Sequence, residues 1–276
     1  MRPVALFLLV LAACTEIADP ALDAGAEKFS PPPVYQLWWD MTRACSGRTG
    51  ALSSVQWYVV PRAHLIFLDG QAADGYWSAG SNRIVLAGAA QMDGAIVRHE
   101  MLHALIQHPG HARGEYLERC GGVVSCWEGC VKEAGPAPAP PADVPRVLPS
   151  ALDISVEVNP STPSGGQWDG YFSLTVRAHN PSTHPIVIIL QPPGASAPDM
   201  SFAYRINLPH GSALADSDLV NDLAIAYFAA NETKQRVFDF FVSNRAPLNV
   251  LSPGSYVFQA GYGGNWSIPQ QLTVSP

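Results

Sequence analysis

A chain of 276 residues with 47% hydrophobic and 14% charged side chains has enough apolar surface to fold and length for two cores, which excludes wholesale disorder. The formal charge of -7, with 16 Lys and Arg scattered along the chain, excludes a nucleic-acid binder, because phosphates are neutralised by clustered cations. The 25 prolines and 23 glycines predict many turns and at least one linker.

The first residues read as an export signal. Arg2 supplies a positive charge, residues 4–13 are apolar and free of acids, and the stretch is too short to remain in a bilayer as a spanning helix. Leu11-Ala12-Ala13-Cys14 resembles the lipobox of bacterial lipoproteins, which implies that Cys14 is lipidated and begins the mature chain. An ordinary signal-peptide cut is the alternative, and either one exports the protein. The expected location is the bacterial cell envelope, with a membrane anchor at Cys14. Residues 1–14 are then the signal, and residues 15–33, acidic and small and ending in Pro31-Pro32-Pro33, a solvated tether.

Export gives the remaining cysteines an oxidising environment, so Cys45, Cys120, Cys126 and Cys130 read as disulfides. A structural zinc site competes with that reading, but the set has no CxxC pair. Four cysteines allow three pairings. Cys45 ends the first helix and Cys120 follows a short helix beyond a turn, so a bridge between them would brace that turn and leave Cys126 for Cys130.

Residues 34–45 place Val34, Leu37, Trp38, Met41 and Cys45 on one helical face. Short β-rich runs follow at 55–60, 65–68 and 84–86, with Pro61 and Asp69-Gly70 as breaks. Asp93 can cap a helix through Ile96, Val97, Met101, Leu102, Ala104 and Leu105, which must stop near His108 because Pro109-Gly110 follows. A short helix is expected over 113–120. Helix, small sheet and long helix within 34–133 make an α+β unit.

Residues 134–149 alternate proline with small residues and read as an extended linker. Beyond it the period becomes two: Leu152, Ile154, Val156 and Val158 alternate, as do Phe172, Leu174, Val176 and Ala178, with further runs at 186–190, 202–206, 237–242 and 256–260. About seven strands with Pro/Gly turns predict an antiparallel sandwich over 150–276. Asn180-Pro181 and the run from Leu251 to Tyr256 make it similar to immunoglobulin-type modules, which implies no chemistry.

The chemistry sits in Arg98-His99-Glu100-Met101-Leu102-His103. Residues four apart share a helix face, so His99 and His103 can reach one tetrahedral ion through ring nitrogens. Glu100 lies one step round and can take a proton from a water on that ion, whose pKa zinc lowers to about 7. This is the division of labour in HExxH peptidases.

Here the chain resembles the zincin superfamily, in which a backing helix, a small mixed sheet and the HExxH helix form a cleft and a peptide lies antiparallel to the edge strand. The likeness spans roughly residues 34–120. Trp57-Tyr58-Val59-Val60-Pro61, Gly75-Tyr76-Trp77, Ile84-Val85-Leu86-Ala87, the motif helix and Gly110-His111 are similar to a group of bacterial lipoproteins inferred to be peptidases. The run at 84–86 before the motif would be the edge strand. An α+β zincin-like domain followed by an all-β immunoglobulin-like sandwich is the fold this implies, with Zn2+ as cofactor and a peptide or protein as substrate.

The third ligand departs from the metzincin pattern, which needs Gly at 106 and His at 109 where this chain has Ile106 and Pro109. His108 is five residues past His103, roughly 140° round the helix, and points away while the helix lasts. His111 follows the Pro-Gly reversal and can swing back, so it ranks first, with Glu115 and His108 as alternatives. Tyr76, Trp77 and Tyr116 could line a cleft or steady an oxyanion, although packing is the plainer role. His64, His179, His184 and His210 read as surface residues. A non-catalytic binding lipoprotein, with the sandwich at work on a metal-stabilised or inactive scaffold, is the alternative function.

Overall fold

The computed structural model describes residues 21–66, 71–126, 128–136, 138–160, 170–190, 202–207, 213–217, 225–242 and 251–276. The expected signal with Cys14, the first part of the expected tether up to Pro20, Leu68, Asp69-Gly70 and His210 lie outside them.

In the N-terminal half, β1 (Glu27–Lys28) is followed by α1 (Val34–Ser46) and β2 (Gln56–Val60), then a short antiparallel pair, β3 (Leu65–Ile66) and β4 (Ala72–Ala73). Next come β5 (Gly75–Ser78), β6 (Arg83–Ala87) and α2 (Gly94–Ile106). Helix α1 ends on Gly47, whose φ of 66° suits a residue without a Cβ and lets its N–H reach the Arg43 carbonyl. Its buried face is Val34, Tyr35, Trp38, Trp39, Thr42 and Ser46, so the expected Leu37 and Met41 sit at the margin.

The sheet runs in the order β1-β2-β6-β5, with β2 and β6 parallel and the outer pairs antiparallel. This corrects the placing of the run at 84–86 on the edge. Ile84, Val85, Leu86 and Ala87 are all buried, as a strand covered on both faces must be, and β6 lies between β2 and β5. The edge beside α2 is β5.

Helix α2 starts where expected: the Asp93 carboxylate accepts from the Ala95 and Ile96 amides at 3.0 and 3.2 Å. It stops at Gln107, whose φ of 55° is left-handed. Val97 through Leu105 are buried without a break, so this helix is wrapped on every side. Sheet and α1 cover one side; a π-helical turn at Gly114–Arg119, α3 (Glu128–Ala134) and the C-terminal half cover the rest. Both disulfides take the pairing read from position. Cys45–Cys120 ties α1 to the π-turn across 75 residues, a closure worth roughly 4 kcal/mol of chain entropy. Cys126–Cys130 closes the entry to α3.

The C-terminal half is all β. Its strands are β7 (Arg146–Val147), β8 (Asp153–Asn159), β9 (Tyr171–His179), β10 (Ile186–Ile189), β11 (Phe202–Asn207) and β12 (Ala213–Ser217), then β13 (Ile225–Phe228), β14 (Thr233–Phe241), β15 (Gly254–Tyr262), β16 (Asn265–Trp266) and β17 (Gln270–Val274). They form sheets β14-β9-β8, β13-β10-β7 and β12-β11-β15, with β16 and β17 both on β15. The alternating Phe172, Leu174, Val176 and Ala178 are fully buried in one shared core, where Tyr204 of β11 meets Phe238 and Phe240 of β14 at 4.9 and 5.0 Å. Arg146–Val147, at the end of the expected linker, lies parallel to β10.

The halves share a core. Tyr171 and Phe241 pack with Trp38 and Met101, and Val237 packs with Leu102 and Tyr116. Gly122 passes so close to the Gln235 carbonyl that a Cβ would overlap it, while the Val237 amide donates to the Gly122 carbonyl at 2.8 Å.

Candidate metal centre

His99 and His103 project from one face of α2, and the chain reverses after Gln107 so that His111 returns to meet them. Each imidazole is tied down at Nδ1. His99 faces the Ser125 carbonyl at 2.6 Å, His103 the His108 carbonyl at 2.8 Å and His111 the Glu133 carboxylate at 2.6 Å. Carbonyls and carboxylates only accept, so each Nδ1 carries the proton and donates it outward. Every Nε2 is then a lone pair turned inward. The His99 and His111 Nε2 atoms stand 3.0 Å apart, and the candidate ligand atoms of all three residues lie within 4.8 Å of one another.

Three converging lone pairs repel one another unless a cation lies among them, and neutral imidazole nitrogens are the donors that divalent zinc, copper, iron or nickel takes. The cluster could hold a metal ion. Burial pushes the His99 pKa down to about 3, helped by the neighbouring His103 and His111, and that of His103 to about 4. Both rings are therefore neutral near pH 7, as ligation requires.

Glu100 is buried beside the cluster, and its carboxylate accepts the Trp77 amide of β5. Burial raises its pKa to about 8, against the opposing effect of that hydrogen bond. The neighbouring Gly75 has no room for more: a Cβ there would stand 3.1 Å from Glu100 Cγ and 3.0 Å from Leu86 Cδ2. The Trp77 ring stacks on His103, with centroids 6.4 Å apart and planes 5° from parallel.

Tyr116 lies about equally far from all three imidazoles, at 5.0, 5.1 and 4.9 Å from His99, His103 and His111. It is fully buried and its hydroxyl has no protein partner among the described residues. Burial, then the charge of Glu100, raises its pKa far above the usual phenol value.

Glu115 and His108 take other work. Glu115 pairs with Arg48 at 3.0 Å and Arg119 at 3.2 Å. His108 gives its carbonyl to His103, and its Nδ1 accepts the Gly110 amide at 2.9 Å. Tyr76 donates to Asp23 at 3.0 Å. The residues that sequence reasoning missed are the outer partners: Ser125 and His108 act through backbone carbonyls, which leave no side-chain signature, and Glu133 comes from α3, 22 positions past His111.

No family model and no curated protein matches the chain. Solved structures overlap it in part. An alkylpurine DNA glycosylase from Pseudomonas fluorescens, bound to DNA containing an abasic site analogue, is 12% identical with a TM-score of 0.31, over 46% of this chain and 31% of its own. A β-glucosidase from Listeria innocua is 11% identical with a TM-score of 0.25, over 45% and 16%. A putative ApaA protein from Bordetella pertussis is 17% identical with a TM-score of 0.25, over 45% and 94%. The chain thus spans less than a third of the first two, and TM-scores of this size establish no shared fold.

Proposed function

We propose that the protein is a zinc-dependent peptidase of the zincin type, with His99, His103 and His111 as ligands and Glu100 as general base. The observation that carries the reading is the orientation of the histidines: three outward Nδ1–H bonds leave three inward Nε2 lone pairs, beside a buried carboxylate that is not one of them. Zinc bound there would supply Lewis acidity, polarising a carbonyl and lowering the pKa of a water.

The chain's own residues do the remainder. With a zinc cation alongside to draw its buried carboxyl back to the ionised form, Glu100 receives the proton of the attacking water and returns it to the leaving amine, steadied by the Trp77 amide. Strand β5 is the sheet edge on this side, so its outward peptide groups suit an extended substrate added antiparallel to it. Gly75 keeps that edge free of a side chain next to Glu100. The N-terminal half would then be the zincin unit and the β half an immunoglobulin-like sandwich packed against it. The lipobox-like Leu11-Ala12-Ala13-Cys14 supports export and a lipid anchor, with peptides or proteins of the cell envelope as substrates.

The test is peptide cleavage by the purified, zinc-loaded protein. Cleavage that a chelator abolishes and added zinc restores is the expected result. Stoichiometric zinc with no cleavage of a broad peptide library would favour the binding-lipoprotein alternative.

A further inference from the structure

The three histidines are not held alike. His99 and His103 are built into α2, and their Nδ1 partners are backbone carbonyls. His111 lies outside any helix, and its partner is a side chain. Both oxygens of Glu133 serve it: Oε2 accepts from the ring at 2.6 Å and Oε1 from the His111 amide at 3.2 Å. Ring and backbone are thereby fixed together by one carboxylate.

That carboxylate is itself presented rather than free to wander. Helix α3 is pinned at its entry by Cys126–Cys130, and the Arg113 guanidinium donates to the Gly135 carbonyl at 2.7 Å just past its end. The same segment begins at Ser125, whose carbonyl holds His99. Ser125 and Glu133 therefore grip two of the three histidines from outside. A carboxylate on the far nitrogen also makes the near one a stronger donor, and outer partners of this kind are worth about 10- to 100-fold in metal affinity.

We propose that Glu133 is the positioning residue of the third ligand, fixing the tautomer and orientation of His111 and so setting the affinity of the centre. The proposal rests on the zinc reading above. Glu133 is 54% exposed, and a hydrogen bond made by so exposed a carboxylate contributes little to folding, so its replacement should report on the metal and not on the fold.

The test compares wild type with Glu133→Ala, Glu133→Gln and an exposed control, Glu157→Gln of strand β8, whose partner is Arg177 of β9. Zinc dissociation constants come from competition with a chromogenic chelator, and the visible spectrum of the cobalt(II)-loaded protein reports ligand geometry, which a purely structural role would leave unmoved. Expected are a loss of roughly 10- to 100-fold for Glu133→Ala with an altered cobalt spectrum, a smaller loss for Glu133→Gln, which keeps an acceptor oxygen, and no change for the control. Zinc affinities within twofold of wild type and unchanged cobalt spectra for both Glu133 variants would overturn the role of Glu133 while leaving the metal centre standing. Wild-type protein that binds neither zinc nor cobalt would overturn both.

Discussion

The guanidinium of Arg98 and the carboxylate of Asp239 meet in a two-bond pair at 2.8 and 2.9 Å, across 141 positions of sequence. Arg98 is wholly buried and sits one residue before the first histidine of the centre; its Nε donates to the Val123 carbonyl, and Tyr171 donates to Asp239 at 2.7 Å. The β half thus reaches into the first turns of α2.

Removing one partner of such a pair strands a buried charge, which typically costs about 3 to 5 kcal/mol. Asp239→Ala should lower stability by that order in urea unfolding, while Tyr171→Phe, which loses one hydrogen bond to a charged group, should cost roughly 1.5 to 3 kcal/mol. By the same reasoning the isolated N-terminal half, deprived of Asp239 and of the Tyr171 ring against Trp38, should show no cooperative unfolding transition. A stable, cooperative N-terminal fragment would show that the halves are independent.

The cap of α2 gives a pH signature. Burial raises the Asp93 pKa above its ordinary value of 3.8, although the Ile96 amide opposes it. A carboxyl raised on folding contributes its stability below the ordinary value and loses it as pH climbs through the raised one. Asp93→Asn keeps a cap without that titration, so its stability relative to wild type should improve as pH rises through that window; Asp93→Ala should cost about 1 kcal/mol. Thermal unfolding from acid to neutral pH checks both, and a flat difference between Asn and wild type would refute the first.

A side chain at position 75 must displace Glu100 or Leu86, from which its Cβ would stand 3.1 and 3.0 Å. Gly75→Val should therefore lower peptide cleavage by about 10²-fold, since misplacing a catalytic group by an ångström costs that much, with zinc content unchanged. Full activity in Gly75→Val would separate β5 from the chemistry.

His111→Ala should strip the metal, whereas His108→Ala should leave affinity nearly unchanged, because His108 serves His103 through a carbonyl that alanine retains. Metal analysis after dialysis decides it. The reverse pattern would make His108, and not His111, the third ligand.

What could be read from sequence divides by chemistry. His99 and His103 were legible because helical spacing alone puts them on one face, and His111 because Pro109-Gly110 forces a reversal. Cys45 and Cys120 were legible from their places at the ends of elements. The edge strand was not: Gly75–Ser78 is only four residues long, opens on glycine and lacks alternation, while the apolar 84–86 run drew attention to the inner strand. Ser125, His108 and Glu133 act through carbonyls or across chain distance, and Asp239 is paired by tertiary packing that no local period announces. The stripe of α1 was rotated toward Tyr35 and Trp39 because the sheet and the β half both press on that helix.

The most direct measurement is hydrolysis by Glu100→Gln at known zinc content. Gln keeps the size of the side chain and can still accept the Trp77 amide, but it cannot take a proton. Zinc retained in full, with cleavage of a peptide library lowered by about 10² to 10⁴-fold against wild type, is the expected result. Equal cleavage by the two proteins, each carrying stoichiometric zinc, would contradict Glu100 as the base and with it the peptidase reading.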